Sequence, residues 1–389
     1  MNKKNNHILM LSSWYPSRVN PTLGNFNEKF AEAAALYNEV TAVHVVADAS
    51  MKTNSEVVRK DISGVDTIIY YFRKSKHENF INKILKALMF FKYYRKAYKK
   101  ISEEKGVPHI VHLNILYPVG LIALFLKKVY GIPYVVSENW TGYLPSNQVK
   151  RPFTTRYLTR KIASGSSALL PVSEDLKKSM IKHRFTAPYH IVHNVTDTKH
   201  FNTPADKKKK TKTQILHVSS LKDDHKNISG ILNVIRKLSQ KRDDFELHIV
   251  GDGDATPHKH YAHKLGILNS YVKFFGTMLP VEIAQKMKAS DFFVLFSNYE
   301  NLPCVVIEAM AAGLPVISST AGGVPEHLTH DKGILVKPRD EKALYDACLY
   351  MLDNFLNYDK EALHIYAKEN FSYQSVGQKL TRIYDTYKK

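Results

Sequence analysis

Short aliphatic and β-branched runs alternate with longer stretches of helical periodicity along the whole chain. Runs that short and apolar read as strands covered on both faces, and the longer stretches read as the helices that cover them. In the first half the pattern predicts strands over 7–11, 40–46, 67–71, 110–113, 134–136, 168–172 and 190–192. Helices fall between them, near 27–37, 81–102, 119–129, 154–163 and 174–182. The second half repeats the rhythm, with strands over 214–218, 246–250, 272–275, 292–295, 316–317 and 334–336. Its helices lie near 228–239, 258–265, 281–288 and 305–312, and three more over 341–353, 359–369 and 373–387 close the chain. Strand–helix alternation is the sequence form of an α/β fold with parallel sheets. A length of 389 residues suggests two such units. The charged, aperiodic stretch 203–213, with its lysines at 207–210, reads as the linker or exposed loop between them. Two doubly wound sheets joined there would face each other across a cleft, and ligands of such sheets bind beyond the carboxyl ends of the strands.

Composition adds little, because 44% hydrophobic and 24% charged residues are ordinary for a globular protein. Charge adds more. The net charge is +20, and residues 1–190 hold 29 basic and 13 acidic side chains against 27 and 23 in the remainder. An excess confined to one half points to an anionic partner, whether membrane surface, acidic substrate or nucleic acid; a generally basic proteome would produce the same excess. Stretch 83–100 concentrates it, with seven basic residues, no acid, and Phe90, Phe91, Tyr93, Tyr94 and Tyr98 interleaved. Such a helix suits shallow association with an anionic membrane surface, or else a domain helix whose lysines snorkel around a buried aromatic stripe. Cys304 and Cys348 form no motif, and no early stretch reads as a signal peptide, so a reducing, cytoplasmic setting is expected.

The densest chemical signal is 297–326, SNYENLPCVVIEAMAAGLPVISSTAGGVPE. A buried strand ends at a polar loop with Glu300, and a helix is expected to start around Asn301, Leu302 and Pro303, with a cap-type Asn and a Pro in its first turn. A helix N-terminus at the carboxyl end of a parallel strand is a ready anion site, because free N–H groups and the helix dipole favour phosphate. Glu300 lies just outside that terminus and Glu308 within the helix, seven residues between them. A diphosphate at the helix start would have a carboxylate on either side, one for a sugar and one for ribose hydroxyls.

In these residues the chain resembles glycosyltransferase family 4, the retaining enzymes of GT-B fold. Other family features appear in order: a loop over 16–24 after the first strand, HNVTDTKHF at 193–201, VSSLKDDHKNISG at 218–230, GDG at 251–253, and Gly276. The resemblance implies a GT-B fold of two Rossmann-like parallel-sheet domains around a central cleft. Its parts would be an acceptor-side domain over 1–195, a nucleotide-sugar domain over 196–370, and a last helix over 371–389 crossing back to the first. It implies transfer of a sugar from a nucleotide-sugar to a glycan or lipid-linked acceptor, in cell-surface polysaccharide or glycoconjugate synthesis at the cytoplasmic membrane face. No metal, cofactor or nucleic acid is expected. Glu300 would contact the donor sugar, Glu308 the ribose and Lys226 the leaving diphosphate. Asn301, Leu302, Pro303, Gly251 and Gly276 would complete the donor site, and Gly24 would give donor or acceptor close access to backbone.

Two positions depart from the family. Ser219 and Ser220 stand where relatives have Gly-Arg, so Lys222 or a cation of the first domain is expected to compensate. Asn139 stands where many relatives have a cleft histidine, and Asn cannot shuttle a proton at neutral pH; neighbouring Glu138 is the substitute. These departures keep open a catalytically silent nucleotide-sugar binder, and the charge keeps open a basic nucleic-acid binder. Three other signals carry less. Asp252 and Asp254 have the spacing of a metal-binding pair but read as a Gly-Asp turn. Thr256 replaces the third glycine of a dinucleotide fingerprint, and His258, His260 and His263 read as a polar helix surface.

Overall fold

The computed structural model describes residues 6–74, 80–147, 149–203 and 211–389. Strands β1 (His7–Ser12), β2 (Glu39–Asp48), β3 (Ser55–Ile62), β4 (Val65–Arg73), β5 (Ile110–Asn114), β6 (Tyr134–Glu138) and β7 (Ala168–Pro171) form the first sheet, in the order β3-β4-β2-β1-β5-β6-β7. Helices α1 (Asn25–Ala35), α2 (Phe80–Lys105), α3 (Gly120–Tyr130), α4 (Phe153–Gly165) and α5 (Glu174–Lys182) accompany it. The second sheet holds β8 (Thr213–Ser219), β9 (Phe245–Gly251), β10 (Val272–Phe274), β11 (Phe292–Leu295), β12 (Val316–Ser319) and β13 (Gly333–Val336), in the order β10-β9-β8-β11-β12-β13. With it come α6 (Asp223–Lys226), α7 (Ile228–Ser239), α8 (Thr256–Lys264), α9 (Pro280–Ala289), α10 (Cys304–Ala311), α11 (Glu341–Asn354), α12 (Lys360–Phe371) and α13 (Tyr373–Tyr387).

Every pairing is parallel except β3 with β4, as the alternation of runs predicts. Strand order reverses at β1/β5 and at β8/β11, so both sheets open a crevice at the carboxyl ends of those strands. The expected strand over 190–192 does not form. His190 and Val192 donate to the Leu169 and Pro171 carbonyls, but the return bond would come from the amide of residue 171, and proline has none. Edge strand β3 goes unpredicted because it is exposed on both faces and shows no apolar alternation. The linker signal at 204–210 lies outside the described residues.

The aromatic stripe of α2 packs inward. Tyr93 stacks on Tyr70 and Phe72, Phe91 meets Phe125 and Tyr98 meets Tyr130. Each such side chain, once buried, contributes roughly 1.5–3 kcal/mol, so the stripe anchors the helix, while Lys92, Lys96 and Lys99 extend to solvent. Helix α13 returns to α1 so closely that a Cβ on Gly377 would stand 2.2 Å from the Ala33 carbonyl oxygen. Asn38 seals the junction, its Nδ2 donating to Thr381 and to the Ala34 carbonyl.

Candidate active site

Between the sheets lies a cavity of about 660 Å³. Helix α1 contributes Phe26, Glu28, Lys29 and Glu32; the crossing segment contributes Asp197 and His200; the loops after β8, β9 and β11 and the start of α10 form the opposite wall. Both predicted glutamates face it, with Lys226, Ser220, Gly251 and Pro303.

Glu300 follows β11, and its buried carboxylate accepts from Lys226 Nζ at 2.5 Å, with His225 Nε2 at 3.6 Å. Burial pushes the Glu300 carboxyl up, but the Lys226 charge and then His225 outweigh it and hold the group below the usual carboxylate range. Lys226 closes the one-turn α6 rather than opening a helix; Asn227, left-handed at φ 49°, then caps α7 through its side chain. His225 is fixed by the Tyr299 carbonyl and stacks on the Tyr299 ring at 4.2 Å.

Glu308 sits one turn into α10 and meets Lys29 Nζ of α1 at 3.0 Å. Burial alone would lower the Lys29 ammonium, but Glu308 outweighs it and holds it above its ordinary value. Lys29 thus lines the cleft from the first half and reaches the second glutamate. Lys222 is exposed at the start of α6 and does not line the cavity.

Helix α10 begins after the cap signal at 301–303 and within one residue of the start that periodicity predicts. Pro303 is its N-cap and offers no side-chain cap, since proline has neither a side-chain acceptor nor a free N–H. Asn301 is no cap: its Nδ2 donates to the Asn139 carbonyl across the cleft, and its own carbonyl accepts from Gly323. Leu302 is buried, its carbonyl taken by Asn194 Nδ2. Cys304 and Val305, in the first turn, face the cavity, and burial pushes the Cys304 thiol up to about 11.

The glycines act mainly on backbone packing. Gly24 starts α1 at φ 75°, where a Cβ would stand 2.4 Å from the Trp14 carbonyl carbon. Gly251 lets β9 pass 1.9 Å, measured from an added Cβ, from the Ser219 carbonyl oxygen. Gly276 accepts from the Gly251 amide and leads into Thr277 and Met278, which line the cavity.

Glu138 does not reach the cleft, which corrects its expected role. It is fully buried, with Oε2 accepting from the Leu116 amide and Oε1 from the Asn139 and Trp140 amides. It organises the turn after β6. Burial still dominates and pushes the carboxyl up to about 7. Asn139 does stand at the seam, and its Nδ2 and Asn301 Oδ1 are both buried without a partner among the described residues. Two secondary signals resolve similarly: His258 is spent on the Leu221 carbonyl and Asp254 on the Thr256 amide at the start of α8.

Lys29 and Glu326 were not singled out by sequence. Glu326 accepts from the Glu174 and Asp175 amides at the start of α5, both at 2.9 Å, and so ties the two halves. Lys29 lies in no distinctive motif and Glu326 only closes the 297–326 segment, so the folded geometry alone brings each to its partner.

Comparison with known proteins gives two family matches, Glycosyltransferase Family 4 over residues 33–200 and Glycosyl transferases group 1 over residues 212–354. Alpha-monoglucosyldiacylglycerol synthase of Streptococcus pneumoniae is 24% identical over 59% of this chain. The match spans 56% of that relative's length, and 29% and 34% of two further curated glycosyltransferases. Among solved structures, sucrose-phosphate synthase of Thermosynechococcus elongatus superposes with a TM-score of 0.77 at 17% identity, covering 98% of this chain and 99% of that one. The Anabaena protein HepE, solved in complex with UDP and glucose, gives 0.74 at 17% identity, over 98% of this chain and all of that one. The fold is GT-B.

Proposed function

Since this chain belongs to glycosyltransferase family 4, we propose that it moves a sugar from a nucleotide-sugar to a glycan or lipid-linked acceptor, with retention and without a metal ion. The observation that carries this reading is the meeting of Glu300, Lys226 and Glu308 on one cavity at the start of α10. Breaking the bond between sugar and diphosphate leaves negative charge on the β-phosphate oxygen, and fixed donors must already be aimed there. Lys226 is held in place by Glu300, and its ammonium has two further protons to donate to that oxygen. The first turn of α10 adds backbone donors. Glu300 opposes the positive charge that grows on the sugar. Glu308 accepts from ribose hydroxyls once the donor displaces Lys29. Asn139 stands beside this centre, its carbonyl holding Asn301 next to Glu300. With no side-chain base at that position, the departing phosphate oxygen takes the acceptor's proton on the same face.

The relatives named for glycolipid synthesis, and neighbours solved with UDP and UDP-glucose, support a donor of this class and an acceptor in a glycoconjugate or polysaccharide. Among the described residues no helix is long and apolar enough to cross a membrane. Peripheral attachment at the cytoplasmic face fits the exposed Ile84, Leu85 and Leu88 of α2 beside Lys86 and Lys92.

The test is thermal-shift titration with UDP, GDP, ADP and CMP in EDTA. One nucleotide should raise Tm, by an amount equivalent to about 2.7 kcal/mol at a hundredfold excess over its Kd. Glu308→Ala should weaken that nucleotide at least tenfold, whereas Glu300→Ala should mainly lower turnover. Undiminished binding to Glu308→Ala would remove the ribose assignment, and silence from all four nucleotides would remove the donor site.

A further inference from the structure

A second cavity, of about 230 Å³, lies entirely within the first sheet's half. It sits beyond the carboxyl ends of β1, β5 and β6, at the point where the first sheet reverses its strand order, the place where open α/β sheets bind ligands. Its walls are Trp14, Tyr117, Trp140 and Tyr143, and Arg151 enters from the segment before α4. None of these was assigned a role above.

Three observations mark it as a built site. The Arg151 guanidinium lies 4.5 Å from the Tyr143 ring centre and 5.5 Å from that of Trp140, with Nη2 3.3 Å from His183 Nδ1. No carboxylate pairs with it among the described residues. Glu138, the acid whose charge it feels, already has its oxygens engaged by three backbone amides, and the other charges acting on Arg151 include Arg156 and Arg160. The guanidinium thus stands among further cations with no carboxylate paired to it among the described residues. Second, Ile115 lines it at φ 68°, a conformation costly for a β-branched residue and characteristic of backbone placed for function. Third, it adjoins the reaction centre. Trp14 packs edge-on against Phe26 of the large cavity at 6.4 Å, and Trp140 follows Asn139, whose carbonyl binds the neighbour of Glu300.

An indole or phenol face covers the apolar C–H face of a sugar ring, and a half-buried guanidinium recognises a carboxylate or phosphate by paired N–H donors. The cavity is smaller than the ~300–1,000 Å³ of pockets that hold drug-sized ligands, so it suits one ring of a longer chain. Resting on the glycosyltransferase reading above, we propose that this pocket takes an acidic sugar unit of the acceptor, its ring on Trp140 and its carboxylate or phosphate on Arg151.

The chain has two tryptophans, and both line this pocket, so intrinsic tryptophan emission reports it selectively. The experiment titrates the protein at fixed ionic strength with glucuronic acid, glucose 6-phosphate, glucose and inorganic phosphate. A saturable emission change is expected with one or both acidic sugars, at least tenfold tighter than with glucose. Whichever acid binds better identifies the anion. Arg151→Ala should abolish the preference and Arg151→Lys should retain part of it, while both keep the wild-type Tm shift with the responding nucleotide. Glucose binding as tightly as the acids, inorganic phosphate binding as tightly as glucose 6-phosphate, an unchanged preference in Arg151→Ala, or no emission change at all would each overturn the proposal. Acid-sugar binding without any nucleotide response would overturn the glycosyltransferase reading and leave the pocket standing; nucleotide response without acid-sugar binding would do the reverse.

Discussion

At the residue scale, the site depends on buried charges that neutralise one another. Removing the cation from the Lys226–Glu300 pair, as in Lys226→Met, leaves the buried carboxylate without its main counter-charge and should cost about 3–5 kcal/mol in urea unfolding. The pH dependence should also change sign. In the wild type the Glu300 carboxyl is held below its unfolded value, so its contribution is present above about pH 4.5 and lost as pH falls. In Lys226→Met the carboxyl should rise above its unfolded value, and stability should instead fall as pH increases; an acid limb like the wild type's would refute the pairing. Glu138 behaves in the opposite way in the native protein. Its carboxyl is raised to about 7, so stability is present below the unfolded value and lost as pH rises from about 4.5 through 7. The loss amounts to roughly 3 kcal/mol over that window. Glu138→Gln should flatten this part of the Tm–pH curve, and an unchanged slope would assign the dependence elsewhere. Both glutamates of the 300–308 motif were legible because their spacing is local. The pairing of Glu308 with Lys29 was not, because 279 residues separate them.

At the element scale, most strands and helices were readable because each buries one continuous apolar run. Helices α5, α7 and α13 have the bounds that periodicity predicts. The failures share a cause. Strand β3 is exposed on both faces, the segment at 190–192 lacks a donor partner at Pro171, and α10 starts after a proline that cannot cap it. In each case hydrogen bonding decided what hydrophobic pattern could not. The closing helix depends on close backbone approach at Gly377, against the Ala33 carbonyl. Gly377→Val should therefore lower stability by about 2 kcal/mol or more through overpacking. Denaturant midpoints would measure it, and a loss under 0.5 kcal/mol would mean that α13 docks more loosely than described.

At the scale of the whole molecule, polar ties that cross the cleft among the described residues include Lys29 to Glu308, Asn301 to the Asn139 carbonyl, Asn194 to the Leu302 carbonyl, and Glu326 to the start of α5. A donor entering between Lys29 and Glu308 requires the halves to move against each other at these ties. Glu326→Ala removes one tie without touching the cavity, so solution scattering should give a larger radius of gyration, reversed by saturating nucleotide. An unchanged radius would mean that the apolar cluster running from the first sheet to α10, α12 and α13 holds the halves by itself. Sequence alone determined the two parallel sheets, the Glu-x7-Glu segment and the basic first half, because each is written in neighbouring residues or in composition. Tertiary structure decided which charges meet, that Glu138 serves a turn rather than the cleft, and that Trp14, Trp140 and Arg151 share one pocket. Those facts depend on loops from distant strands converging at the carboxyl ends of a sheet, and no local pattern encodes that convergence.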